Sequence, residues 1–155
     1  MTTIRVATVG DIPEMHRVRM SVRENRLSDP SRVQPHHYEE MLTERGRGWI
    51  AELEGGIAGF AIVDLQEHDI WALFVDPRFE GLGLGRQLQQ TMLDWTFTTG
   101  TERLSLTTSV DTRAERFYTA AGWRLVDRTE GGDATFEMTR ASWLSRTPRT
   151  QGEAG

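Results

Sequence analysis

Apolar positions along this chain switch between two spacings, and each switch marks an element. Ile4 to Thr8 reads as a short strand. Ile12, Met15, Val18 and Val22 then mark one helical face, with Asp11 as N-cap and Pro13 in the first turn. Leu27 to Pro35 carries two prolines and reads as a loop, followed by a short helix around His36 to Glu44 that Gly46 and Gly48 end. Trp49 to Leu53 and Ile57 to Val63 flank Glu54-Gly55-Gly56, a hairpin signal. Ile70 to Val75 is a continuous apolar run, as in a strand buried on both faces.

Helical spacing returns at Leu84, Leu88, Met92 and Trp95, and Leu104 to Thr108 is the next strand. Thr112-Arg113-Ala114-Glu115 matches a capping box, Ala114, Phe117, Tyr118 and Ala121 line one face, and Gly122 is a natural stop. Arg124 to Arg128 and Ala134 to Thr139 close as a hairpin through Glu130-Gly131-Gly132-Asp133. Strand 70–75, its helix and strand 104–108 form a crossover unit, so those two strands are expected as parallel neighbours, whereas the hairpins are antiparallel. The fold class is therefore α/β (α+β by some conventions). It is a single domain with a mixed central β-sheet of about seven strands flanked by about four helices. The domain is expected over residues 1–143, with Trp143 still packed on it and 144–155 as a flexible polar tail.

Composition narrows the function. The chain has 155 residues, 37% apolar and 26% charged, ordinary values for a globular protein with a substantial core. No apolar run approaches the roughly 20 residues of a membrane span, and the N-terminus lacks a signal-peptide layout. These features and the absence of cysteine predict a cytoplasmic protein without disulfides, thiolate nucleophiles or zinc–thiolate sites. A net charge of −5 argues against bulk attraction to nucleic acid. All 18 basic residues are arginine, which removes Schiff-base chemistry, a lysine base and the lysine of Walker-type loops. Neither histidine spacing nor carboxylate clustering supports a metal site.

The chemical signal lies in Phe74-Val75-Asp76-Pro77-Arg78-Phe79-Glu80-Gly81-Leu82-Gly83-Leu84-Gly85-Arg86. An apolar strand ends at an Asp-Pro turn, and three alternating glycines run into a helix. Glycines bring backbone N–H groups close to a ligand, and a helix start adds unpaired donors and the positive end of the macrodipole. Together they form a concave site for phosphate or pyrophosphate. A dinucleotide fingerprint fits poorly, because counting from Gly83 and Gly85 its third glycine would fall at Leu88.

About 30 residues further on stands Asp111-x-x-Ala114-x-x-Phe117-Tyr118-x-x-x-Gly122-Trp123. The two motifs in register, together with the element order from Ile4 to Thr139, resemble the GNAT superfamily of acetyl-CoA-dependent N-acetyltransferases. The resemblance implies a GNAT-like domain that moves an acetyl group from acetyl-CoA, its cosubstrate, to a primary amine by direct attack. Leu73, Phe74 and Val75 would offer backbone groups to the pantetheine arm, and Gly81, Leu82, Gly83, Leu84, Gly85 and Arg86 would bind the pyrophosphate. The chain departs from the pattern at Glu80, where Arg or Gln is usual, and at Asp111, where Asn is frequent and would contact the pantetheine arm. Glu80 is expected to face solvent or pair with Arg78, leaving Arg86 as the phosphate contact.

The resemblance makes Tyr118 the acid that serves the departing thiolate. It places the base, a carboxylate acting through water, at Asp69 or at Glu67. His36 and His37 are alternative bases, of which at most one faces the site, since neighbouring helix positions point about 100° apart. The polar stretch Arg23 to Pro30, with Trp49 and Trp71, could form the acceptor mouth. The expected partners are acetyl-CoA and an amine-bearing small molecule, peptide or protein, with no nucleic acid and no membrane. Dimers are common in the resembling family. The alternatives are an acyl-CoA-binding sensor or interaction module without catalysis, and a nucleotide-binding regulator.

Overall fold

The computed structural model describes residues 2–22 and 33–146. The chain divides into two compact units, one up to Met92 and one from Leu93 onward. The first holds strand β1 (Thr2–Val6), helices α1 (Ile12–Ser21) and α2 (Pro35–Glu40), strands β2 (Gly46–Leu53), β3 (Gly56–Asp64) and β4 (Asp69–Val75), and the start of helix α3 (Leu84–Thr98). Each strand pairs antiparallel with the next, from β1 to β4. Ile12, Met15 and Val18 of α1 and Tyr38 of α2 pack with Ile50, Phe60 and Ile62 into one core.

Two local readings of the sequence are corrected here. Gly46 and Gly48 do not end the helix: α2 gives way to a wider π-type turn at Met41–Arg45, and both glycines belong to β2. The reason is close strand approach, since a Cβ on Gly46 would lie 1.8 Å from the Val63 carbonyl oxygen. The second concerns β4, expected to be buried on both faces. Only its Ala72 is buried, while β3 is buried at every position but its first.

The register of β4 also slips. Ile62 pairs with Ala72 but Val63 pairs with Ile70, which leaves Trp71 as the extra residue of a bulge. Because side chains alternate along a strand, the slip puts Asp69 on the same face as Ala72 and Phe74.

The second unit holds the rest of α3, strand β5 (Arg103–Ser109), helix α4 (Arg113–Ala120), strands β6 (Arg124–Arg128) and β7 (Asp133–Thr139), and helix α5 (Arg140–Arg146). β7 lies between β5 and β6, antiparallel to both. Leu104, Leu106, Phe136, Met138 and Trp143 are among its buried side chains. Thr112 caps α4 by accepting the Glu115 N–H at 3.2 Å, while the Glu115 carboxylate takes the N–H of Asp111, one residue before the cap. The sequence reading contained no fifth helix. Its anchor is Trp143, whose indole N–H donates to Asp94 at 2.7 Å, and residues 144–146 complete the helix. The remainder of the expected tail, 147–155, lies outside the described residues. Among the described residues no helix is long and apolar enough to cross a membrane.

Candidate functional site

β4 leads into a 3₁₀ turn at Pro77–Phe79 and then the glycine loop. Gly81 and Gly83 hold φ of 84° and 81°, the left-handed region that favours glycine. Nothing crowds the place where a Cβ would stand at either, so backbone conformation, not packing, demands glycine there. The Gln87 N–H donates to the Gly83 carbonyl at 3.1 Å, so the N–H groups of residues 84–86 have no intrahelical acceptor. Arg86 is exposed in this first turn, and Glu80 is exposed just before the loop. A diphosphate fits this cradle: open space, left-handed backbone and free donors converge on it.

Of the two expectations for Glu80, the exposed side chain follows the first. The Arg78 guanidinium pairs with Asp76 at 2.8 Å, and Asp76 also accepts the Arg78 N–H at 2.9 Å and Arg17 Nη1 at 3.0 Å. Asp76 is 2% exposed, and Arg78, followed by the other donors, holds its carboxyl far below the usual carboxylate range. A buried anion carrying this many donors fixes the turn from which the loop departs. The sequence reading missed both Asp76 and Arg17, because partners 59 residues apart leave no local pattern.

Asp69 opens β4 and is half-buried, with Oδ1 buried and lacking a hydrogen-bond partner. Burial first, then the neighbouring charges of Asp64 and Glu67, raises its pKa. Glu67 is exposed in the preceding turn, 3.8 Å from Arg45. Asp64 is buried and pairs with Arg45 at 2.8 Å. Of the two histidines, His37 accepts the Gln34 N–H at 2.8 Å as part of the α2 cap, and His36 is exposed beside it. Neither is directed as a base.

Trp49 is buried in β2 and its face is closed to a substrate. Trp71, by contrast, lies beneath Arg19 of α1, whose guanidinium carbon is 5.0 Å from the Trp71 ring centre and 4.8 Å from that of Phe74. Arg19 went unnoticed in the sequence, although it stands four residues after Met15 on the otherwise apolar face of α1. The stretch Arg23 to Pro30 lies outside the described residues.

In the second unit, Tyr118 is buried among Phe117, Trp123 and Phe136, with ring centres 5.0 to 6.2 Å away. Burial alone pushes its hydroxyl well above the usual phenol value. No hydrogen bond engages that hydroxyl among the described residues. Asp111 has φ of 60° and an exposed side chain, ion-paired with Arg128 at 3.0 Å.

Comparison with known proteins bears on the fold and the family. The chain resembles the ribosomal-protein-S18-alanine N-acetyltransferase of Escherichia coli (TM-score 0.71, 21% identity, covering 89% of this chain and 92% of that one). It is similar to an N-acetyltransferase from Staphylococcus aureus Mu50 (TM-score 0.76, 15% identity, 90% and 99%). It is also similar to the PaiA N-acetyltransferase of Thermoplasma acidophilum, solved in complex with coenzyme A (TM-score 0.72, 12% identity, 90% and 99%). At these identities the likeness establishes the α/β fold. No curated protein sequence matches the chain. The model of the Acetyltransferase (GNAT) family matches residues 12–123. The chain belongs to that family, and is an acyltransferase with acetyl-CoA as its cosubstrate.

Proposed function

We propose that this protein transfers an acetyl group from acetyl-CoA to a primary amine by direct attack. The observation that carries the reading is the glycine loop, where two left-handed glycines and the unpaired N–H groups of residues 84–86 follow directly on β4. When bound, acetyl-CoA supplies a thioester carbonyl for the amine to attack and a thiolate to leave. Residues 81–86 hold the pyrophosphate through backbone N–H groups and the Arg86 guanidinium. Leu73, Phe74 and Val75 hold the pantetheine arm, and a β4 N–H near Phe74 or Val75 stabilises the oxyanion. Asp111 stays with Arg128 and adds at most an acceptor.

Asp69 takes the proton from the incoming amine through water. Its raised pKa makes it a stronger base than an ordinary carboxylate, and its buried, unpartnered Oδ1 is free to accept. Glu67 is the outer carboxylate of the same turn. Tyr118 keeps its proton at neutral pH, because burial opposes the phenolate. A protonated phenol is a hydrogen-bond donor, the role we propose for it toward the thiolate.

Tyr118→Phe is expected to lower kcat by about 10²-fold. The KM for acetyl-CoA should stay unchanged in a thiol-release assay over a panel of primary amines. Unaltered turnover would sink the role of Tyr118. Tight CoA binding by titration calorimetry, with no thiol release from the wild type for any amine, would instead identify a binding module without catalysis.

A further inference from the structure

Arg19 is a cation that the mechanism leaves unused. Its guanidinium touches the rings of Trp71 and Phe74, two side chains of the strand segment expected to hold the thioester end of the cosubstrate. Tyr38 lies beside it: the phenol is fully buried, its pKa raised by burial and lowered in part by Arg19. The Tyr38 hydroxyl is 2.9 Å from His16 Nδ1. Burial, then the Arg19 charge, lowers the pKa of His16. The Tyr38 hydroxyl also accepts a hydrogen bond from Arg19.

The guanidinium rests on the two rings and beside Tyr38, and its Nη1 is buried and has no hydrogen-bond partner. No carboxylate forms an ion pair with Arg19 among the described residues. Arg19 is half-buried, and a buried guanidinium N–H without an anion or acceptor is costly; a carboxylate answers both wants at once.

We propose that Arg19 binds a carboxylate carried by the amine acceptor, making the acceptor a small amino acid-like compound. This rests on the acetyl-transfer reading above, which places the attacked carbonyl beside Leu73 to Val75. Phosphate groups are accounted for at residues 81–86, past the far end of β4, so the anion at Arg19 belongs to the second substrate. Successive strand residues advance by roughly 3.3 Å, so an amine at the thioester and a carboxylate at Arg19 are separated by only a few bonds. Asp69 lies on the same face of β4, two residues before Trp71.

Direct binding tests the proposal without relying on turnover. The common L-amino acids and their carboxamides are titrated into CoA-saturated protein by calorimetry, with wild type, Arg19→Met and Arg19→Lys compared. The preferred amino acid is expected to bind wild type about ten-fold or more tightly than its carboxamide. Arg19→Met should erase that ratio and Arg19→Lys restore part of it, with all three proteins showing the same CoA affinity as a check on folding. Equal binding of acids and amides by wild type, including no binding of either, overturns the proposal, as does a carboxylate preference that survives in Arg19→Met. Thiol release over the same compounds separates the two readings. Transfer to amides as readily as to acids leaves acetyl transfer standing and removes Arg19. A carboxylate preference in binding without any transfer does the reverse.

Discussion

Asp69 ties stability to chemistry at a single residue. Its carboxyl is raised because the folded chain buries it near Asp64 and Glu67, so the folded state holds the proton more tightly than the unfolded one. The stability cost of its ionisation is absent below ordinary carboxylate pKa values, grows as pH rises, and is complete above the raised value. The same ionisation creates the base. Asp69→Asn is therefore expected to lower kcat by about 10²-fold and to remove the acid limb of the kcat/KM profile, while the melting temperature at neutral pH holds or rises. An acid limb unchanged in the variant excludes Asp69 as base. The sequence singled out Asp69 through its place before an apolar strand. It could not show Oδ1 buried and unpartnered, because that depends on a bulge that turns Asp69 to the face of Phe74.

At the scale of elements, the loop and the turn before it divide the work of conformation and anchoring. Gly83→Ala leaves packing untouched, since nothing stands near its Cβ position, and the cost is conformational. An L side chain forced into left-handed backbone costs about 1–2 kcal/mol, which lowers the melting point by about 2–4 °C per kcal/mol in a chain of this size. CoA affinity should fall about ten-fold or more by calorimetry, because the first-turn donors move with the backbone. CoA affinity equal to wild type would show that the loop does not hold the ligand. This element was legible in advance because three glycines, an Asp-Pro turn and a helix stripe are local signals. α5 was not legible: the indole–carboxylate bond that anchors its seven residues spans 49 positions. The arginine clamp on Asp76 escaped for the same reason, since Arg17 reaches it from another helix.

For the whole molecule, charge pairing sets the response to acid. Asp11 beside Arg5, and Asp76 beside Arg78 and Arg17, have lowered pKa values. Asp64 does too: burial alone would raise it, but Arg45 and the Gln66 and Glu67 N–H groups outweigh the burial. Each contributes stability that is present above ordinary carboxylate pKa values and is lost as pH falls through its lowered folded value. The melting temperature is expected to stay nearly level from pH 7 to about 5 and to drop steeply below about 4. Asp76→Asn should start lower and fall less steeply. A level melting curve down to about pH 2 would contradict the assignment of these pairs. Fold class was readable from element order, whereas the pairings of Arg17 with Asp76 and of Arg45 with Asp64 are not, because only the fold brings those charges together.

The pairs share one further property: every cation in them is a guanidinium, and the chain holds no lysine at all. A guanidinium stays protonated at any physiological pH and offers no free lone pair to a thioester. An enzyme built around an acyl donor thus presents that donor with no side-chain amine of its own. Its surface charges cannot be erased by the reagent it handles, and its acyl groups are kept for the acceptor.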